Sequence, residues 1–321
     1  MIKRFQVIVF ILGIIQPEQI HAAVVEAHSS YTYNEFLDDL VLLNHLHPDK
    51  FFYQSIGISH YGKEIMAIRI GKGEKSILLT GAHHGREWMT SMLLMKMAEE
   101  YVSKNKPILD QVSIWLIPMV NPDGVNIQQG NFKGVNWKNR WRLWKMNQFS
   151  PTFSRWKANG KGVDLNRQYP SGWNELITDI DQPFFQFYKG KSPLSEPESK
   201  AVADFIKSNR PLIAAAYHST GQVIYWHYHT SDSQMERDRR LAEKVSAVTG
   251  YKLAIPNPKA RGAGLTDWLI DEWSIPAMTI EIGKLRKNQE VPLHEFNDEW
   301  EANKEVGWLL LQEAIKMKCF E

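Results

Sequence analysis

The chain is short of three things, and each shortage removes a class of explanation. It has one cysteine in 321 residues, Cys319, close to the end. No internal disulfide can form, so the core alone has to hold the fold. It has no apolar run long enough to cross a bilayer as a permanent helix of about 20 residues, so no stable membrane anchor is expected. It also lacks an excess of either charge. There are 38 Lys and Arg against 36 Asp and Glu, a formal net of +2. That balance gives no reason to expect nucleic acid or an anionic membrane surface as a partner. Internal repeats and low-complexity segments are absent as well.

What is present is ordinary for a folded protein. Hydrophobic residues make up 43% and charged residues 23%. The first residues read as a leader. Lys3 and Arg4 precede the apolar run Phe5–Ile15, then come Pro17 and the small pair Ala22-Ala23. This is the pattern of a secretory signal peptide, taken as residues 1–23, with cleavage after Ala22, Ala23 or Ala27. Secretion, with cell-wall association as an option, follows as an expectation. No activation segment fits between such a cleavage site and the first helix, and a monomer is expected. The remainder, residues 28–321, reads as one domain.

Along that domain, apolar strands alternate with amphipathic helices. Helices are predicted over 31–46, 89–104, 195–208, 232–250, 266–272 and 297–316 by spacing of apolar residues and by end signals. Ser195 is the expected N-cap of the third, with Glu198 at its third position. Strands are predicted over 51–58 and 63–70 as a hairpin, then 76–80, 112–120, 211–218, 223–229 and 276–282. Asn121-Pro122-Asp123-Gly124 reads as a turn. The stretch 126–173 has no clean period and is rich in Trp, Arg and Lys, so it reads as a structured insertion lining the site. The fold class is α/β, a mostly parallel mixed sheet with helices on both faces.

Strand 76–80 runs into His83-His84-Gly85-Arg86-Glu87-Trp88. Alone, His84 and Glu87 at i,i+3 would most often be a surface turn. Two other strands also end in ionisable residues, at His218 and Glu281. A catalytic zinc site takes three protein ligands and one open position. His84, Glu87 and His218 supply two imidazoles and a carboxylate. Glu281 sits on an otherwise apolar strand, where an unpaired charge would cost several kcal/mol, so a cation or reacting group is expected near it. His227 and His229 share one face of their predicted strand and read as solvent-facing. His83 reads as a neighbour of the ligand.

The motifs His84-Gly85-Arg86-Glu87-Trp88, Asn121-Pro122-Asp123-Gly124, Asp164-Leu165-Asn166-Arg167, His218-Ser219 and Thr279-Ile280-Glu281 together resemble the zinc metallocarboxypeptidases of the M14 family in order and spacing. The likeness runs from about Tyr31 to the last helix. It implies the zinc carboxypeptidase fold, one Zn²⁺ per chain on His84, Glu87 and His218, and Glu281 as general base and acid. It implies Asp164 and Ser219 as supports of the ligands, with Asp164 on the second nitrogen of His84. It implies Asn166 and Arg167 as holders of a substrate carboxylate and Thr266 near the floor of the side-chain pocket. It also implies a cation on the scissile carbonyl, assigned to Arg155 with Arg140 and Arg142 as rivals. The substrate is then a peptide or muropeptide with a free carboxylate.

Two features depart from digestive carboxypeptidases. Their substrate-capping tyrosine would fall near Lys259, yet no tyrosine lies between Tyr251 and Glu281, and their cysteines are missing. The runs Arg155–Pro170 and His218–Gln222 instead look like the bacterial γ-D-glutamyl-diamino acid peptidases of the same family. General removal of C-terminal L-amino acids is the alternative activity. A non-catalytic peptidoglycan-binding relative is the third.

Overall fold

The computed structural model describes residues 23–104, 106–255, 262–287 and 289–318. The expected leader lies outside the described residues apart from Ala23, as do Lys259 and Cys319. Helix α1 (Tyr33–Leu46) opens on a capping box. The Thr32 hydroxyl accepts from Glu35 N at 3.2 Å, and the Glu35 carboxylate accepts from Thr32 N at 2.7 Å. Strands β1 (Phe51–Ile58) and β2 (Glu64–Ile70) form the expected hairpin. Strand β3 (Ser76–Thr80), helix α2 (Met89–Lys104) and strand β4 (Ser113–Ile117) follow. Then come α3 (Pro122–Gln128), α4 (Trp137–Met146), α5 (Pro197–Asn209), β5 (Ile213–Ser219) and β6 (Val223–Tyr225). The last elements are α6 (Asp232–Thr249), β7 (Lys252–Leu253), α7 (Leu265–Trp273), β8 (Ala277–Ile282), α8 (Phe296–Asn303) and α9 (Val306–Lys318).

The strands form one sheet in the order β1-β2-β4-β3-β5-β8-β6-β7. Its centre is parallel, with β3 between β4 and β5 and with β8 beside β5. Antiparallel pairings lie toward the margins, at β1–β2, β2–β4 and β6–β8. The fold is therefore the mostly parallel mixed sheet that the apolar strands imply. Period two on β3 divides the core. Ile77 and Leu79 join one apolar cluster with residues of α2 and α9, and Leu78 joins the other with residues of α5 and α7. Each of these side chains is fully buried, which contributes roughly 1.5–3 kcal/mol apiece. The carboxyl ends of β3, β5 and β8 are thus held by core on both faces. This is where an open α/β sheet presents its chemistry.

Several local expectations are corrected. Asn121-Pro122-Asp123-Gly124 opens a helix: the Asn121 side chain accepts from Gly124 N at 2.8 Å and Pro122 takes the first helical position. Ser195 is not a cap. Its hydroxyl donates to Gln168 Oε1 at 3.2 Å, and Glu196 precedes α5 without a side-chain cap. The strand predicted to reach His229 stops at Tyr225, and His229 has φ of +46°, outside strand geometry. The terminal helix is broken into α8 and α9. The insertion at 126–173 contains α4, in which Leu143 is the one buried residue. A helix that buries so little has no apolar stripe toward the core, so periodicity could not reveal it.

Candidate active site

The turn after β3 is built around a close approach. A Cβ on Gly85 would stand 2.2 Å from Gly124 O, so no side chain fits there. Gly85 N donates to Lys157 O at 3.0 Å and Arg86 N to Trp156 O at 2.8 Å. Asn121 Nδ2 donates to His83 O at 3.0 Å and to the Lys157 and Ala158 carbonyls at 3.2 Å each. These bonds fasten the His84–Glu87 turn, the start of α3 and the Trp156–Ala158 segment into one unit.

Within it three donor atoms converge. His84 Nδ1 lies 2.9 Å from Glu87 Oε2, and His218 Nδ1 lies 3.0 Å from the same oxygen. The two ring nitrogens are 3.2 Å apart. All three side chains are buried. Two imidazole nitrogens at this separation cannot both carry a proton, so lone pairs and a carboxylate oxygen face one point. That donor set fits a single zinc ion with a position left open. Among the described residues it is the one group of His, Cys, Asp or Glu arranged to hold a metal.

The surrounding contacts fix the donors. Asp164 Oδ1 takes the other nitrogen of His84, Nε2, at 3.0 Å. Asp164 also accepts from Asn166 N at 3.1 Å and from Phe187 N at 3.2 Å. Burial alone would raise the Asp164 carboxyl, but His84 beside it, with Arg167 and Lys157, holds it well below the usual carboxylate range. It stays ionised and keeps His84 Nδ1 turned inward. Ser219 N donates to Glu87 Oε2 at 3.3 Å. His83 stands apart from the donor set, with Nε2 3.0 Å from the Tyr169 hydroxyl and its ring stacked on His218.

Glu281 faces His218 across the β5–β8 pairing. Burial, and then the charge of Glu87, push its carboxyl up to about 7. It lines a cleft of about 620 Å³ together with His84, His218, Asn166, Arg167 and Thr266. Asn166 Oδ1 accepts from Leu265 N at 3.1 Å, and Arg167 Nη1 donates to Asn166 O at 2.9 Å. The Thr266 and Thr279 hydroxyls meet at 2.9 Å in the cleft lining, which is polar and uncharged at that point. Asp267 is beside it, its carboxyl pushed up to about 6 by burial.

The zinc carboxypeptidase (M14) family model matches residues 35–305 of the chain. The chain belongs to the M14 zinc carboxypeptidases. It is 33% identical over 290 residues to gamma-D-glutamyl-L-diamino acid endopeptidase 1 of Lysinibacillus sphaericus, covering 85% of this chain and 70% of that one. It is 31% identical over 246 residues to metallocarboxypeptidase A of Trichophyton rubrum, covering 69% of this chain and 55% of that one. Among solved structures, bovine thrombin-activatable fibrinolysis inhibitor superposes with a TM-score of 0.72 at 20% identity, covering 90% of this chain and 99% of that one. That likeness shows the shared fold. The protein is accordingly a zinc metallopeptidase.

One assignment within this M14 site does not survive the geometry. Arg155 lies outside the cleft. Its guanidinium donates to Asn147 O at 3.3 Å and Gln148 Oε1 at 2.8 Å and sits 4.1 Å over the Phe185 ring. Arg140 donates to Val135 O at 2.8 Å and to Phe132 O, and Arg142 is exposed beside Asn139. None of the three lines the cleft. Among the described residues, the cation that does, besides Arg167, is Lys157, whose Nζ is 3.3 Å from Glu87 Oε1. The clamp on the Trp156 and Lys157 carbonyls brings Lys157 inward, while the Asn147 carbonyl and Phe185 capture Arg155. Of three further cleft residues, Thr279 and His227 were readable in part and Phe187 was not. Thr279 shares the face of Glu281 by period two. His227 lines the cleft and His229 the neighbouring one, because β6 ends before them. Phe187 carries no sequence signal.

Proposed function

We propose that this zinc peptidase is exported and hydrolyses γ-D-glutamyl-diamino acid bonds in the stem peptides of peptidoglycan. The observation that carries the reading is the cleft itself, which joins a carboxylate-binding cation to an acidic extension. Arg167 is shared between the 620 Å³ cleft and a second of about 910 Å³, whose walls include Glu175, Asp179 and Asp271. A residue that presents both a carboxylate and a side-chain ammonium suits such a junction, and a plain L-amino acid leaves the acidic part unused. The relative from Lysinibacillus sphaericus, named for γ-D-glutamyl-L-diamino acid cleavage, supports the same choice. The leader-like first residues support export.

A bound zinc ion at His84, Glu87 and His218 supplies a Lewis acid and lowers the pKa of water. The chain's own residues do the rest. Glu281 takes the proton of the attacking water and passes it to the leaving amine. Asn166 and Arg167 hold the substrate carboxylate, where a planar guanidinium binds in two-pronged fashion. Lys157 turns from Glu87 to the scissile carbonyl oxygen and stabilises the charge that develops there. Asp164 holds the His84 ring in place.

Hydrolysis of a γ-D-Glu-diaminopimelate peptide, with blocked L-dipeptides left intact, is the expected result. Cleavage of the L-dipeptides alone would replace this reading with that of a general carboxypeptidase, which the Trichophyton rubrum relative favours. Lys157→Met is expected to lower kcat/KM by about 10²–10³-fold, and Arg155→Ala to leave it within a few-fold. The reverse pattern in steady-state kinetics would return the carbonyl-polarising role to Arg155. Arg167→Ala should raise KM for a substrate with a free terminal carboxylate and do little when that carboxylate is amidated. Equal effects on both substrates would remove Arg167 from carboxylate capture.

A further inference from the structure

The net charge of +2 conceals a long segment of one sign. Between Asp123 and Asp164 the chain has eight Lys and Arg and no Asp or Glu, which leaves 30 basic and 36 acidic residues elsewhere. Helix α4 stands in the middle of that segment. Its arrangement inverts that of an ordinary surface helix, which turns its polar side to solvent. Trp137, Trp141 and Trp144 are 73%, 53% and 43% exposed. Their i, i+4, i+7 spacing puts them in one stripe, away from the buried Leu143. Phe149, also exposed, packs edge-on against Trp144 at 4.9 Å and lengthens the stripe. Cations flank it. Lys138 Nζ is 5.7 Å from the Trp137 ring and Lys145 Nζ is 5.8 Å from the Trp141 ring. Contiguous apolar surface of this kind marks an interaction site.

The chemistry of the stripe selects the partner. A helix with a single buried residue is a convex ridge, suited to a broad surface. The cations beside the stripe, Lys138, Arg142 and Lys145, suit an anionic surface, and no carboxylate on α4 opposes them. A soluble polyanion would be satisfied by the cations and would leave three indoles in water. A headgroup layer takes both, since indole rings settle at the boundary between polar and apolar regions while Lys and Arg meet phosphates. We propose that α4 docks the protein reversibly on an anionic phospholipid surface. Trp137, Trp141 and Trp144 enter the headgroup layer, and Lys138, Arg142 and Lys145 pair with phosphates. Arg155, bonded to the Asn147 carbonyl just past α4, ties this ridge to the segment that brings Lys157 to the cleft. The inference rests on α4 and is independent of which peptide is cut.

The test is partition onto vesicles, using the chain from Ala23 onward, which carries every element described above. Vesicles of phosphatidylcholine alone are compared with equal parts of phosphatidylcholine and phosphatidylglycerol. Binding is expected to the mixed vesicles only, to weaken with salt, and to be accompanied by a blue shift of tryptophan fluorescence and its quenching by brominated lipid. Substituting Lys138, Arg142 and Lys145 by Gln should lower partition by about a hundredfold, at roughly fivefold for each cation. Trp137→Ser with Trp141→Ser should lower it by at least tenfold and leave hydrolysis of a soluble peptide unchanged, which also shows that the variant is folded. Absence of binding to the mixed vesicles, or equal binding by the tryptophan variant, would overturn the proposal. So would equally tight binding to a soluble polyanion such as dextran sulfate that ignores the tryptophans. Quenching by brominated lipid in the unsubstituted chain decides the matter even if a variant misfolds.

Discussion

Glu281→Gln is expected to lower kcat by about 10³–10⁴-fold while zinc content and KM stay close to those of the unsubstituted protein. Glutamine matches the carboxylate in shape, so the β5–β8 pairing that sets Glu281 opposite His218 is retained. It has no basic oxygen to take a proton from water and none to return to the leaving amine. The environment makes this loss acute. Burial and the nearby charge of Glu87 push the Glu281 carboxyl up to about 7. Loss of the fold is not an alternative cause. The folded-state value is above the 4.5 of an ordinary glutamate, so in the metal-free protein the folded state binds more protons than the unfolded state between those two values. Stability from this group is fully present below about 4.5 and is lost as pH rises toward 7. Glutamine cannot ionise, so the metal-free variant should melt no lower than its parent at neutral pH. Zinc analysis, a thermal melt and single-turnover kinetics test the three statements separately. A zinc-loaded variant with unchanged turnover would remove Glu281 from proton transfer.

Much of the architecture was legible because the central strands are buried on both faces. Ile77-Leu78-Leu79 and the apolar run of β8 announce themselves as near-continuous hydrophobic stretches. The residues at their carboxyl ends then become candidates for chemistry. The choice of His84 over His83 also follows from spacing to Glu87, and the geometry agrees: His83 turns to Tyr169. What was illegible depends on contacts between distant segments. Lys157 reaches the site because Gly85 N, Arg86 N and Asn121 Nδ2 hold the backbone around it, a long-range clamp that no local pattern encodes. Arg155, two residues earlier, has the better side chain for polarising a carbonyl and the wrong neighbours. Helix α4 was invisible for the opposite reason. Its tryptophans face solvent, and a rule that looks for apolar residues turned to a core passes over it. Net charge is blind in the same way, because a sum over the whole chain erases a segment of one sign.

His218→Ala is expected to reduce zinc affinity by well over the roughly 100-fold that loss of an outer partner costs, and to reduce activity in step with zinc occupancy. His84 and Glu87 would remain on one turn, with Glu87 Oε2 still 2.9 Å from His84 Nδ1, but two ligands do not make a catalytic zinc site. The measurement that separates loss of metal from loss of fold is the response of melting temperature to zinc. A ligand that binds the folded state stabilises it by about 2.7 kcal/mol at a concentration 100 times its Kd. The unsubstituted protein should show that gain on titration with zinc. The variant should show little of it over the same range, while melting in chelator only modestly below its parent. Its metal-free deficit should be modest because alanine removes a buried ring and its 3.0 Å contact to Glu87, yet leaves Lys157 beside Glu87 Oε1 at 3.3 Å to offset that charge. Equal zinc-dependent shifts in the two proteins would mean that His218 is no ligand. The converging geometry of the three donors would then need another explanation, such as a proton shared between the two rings.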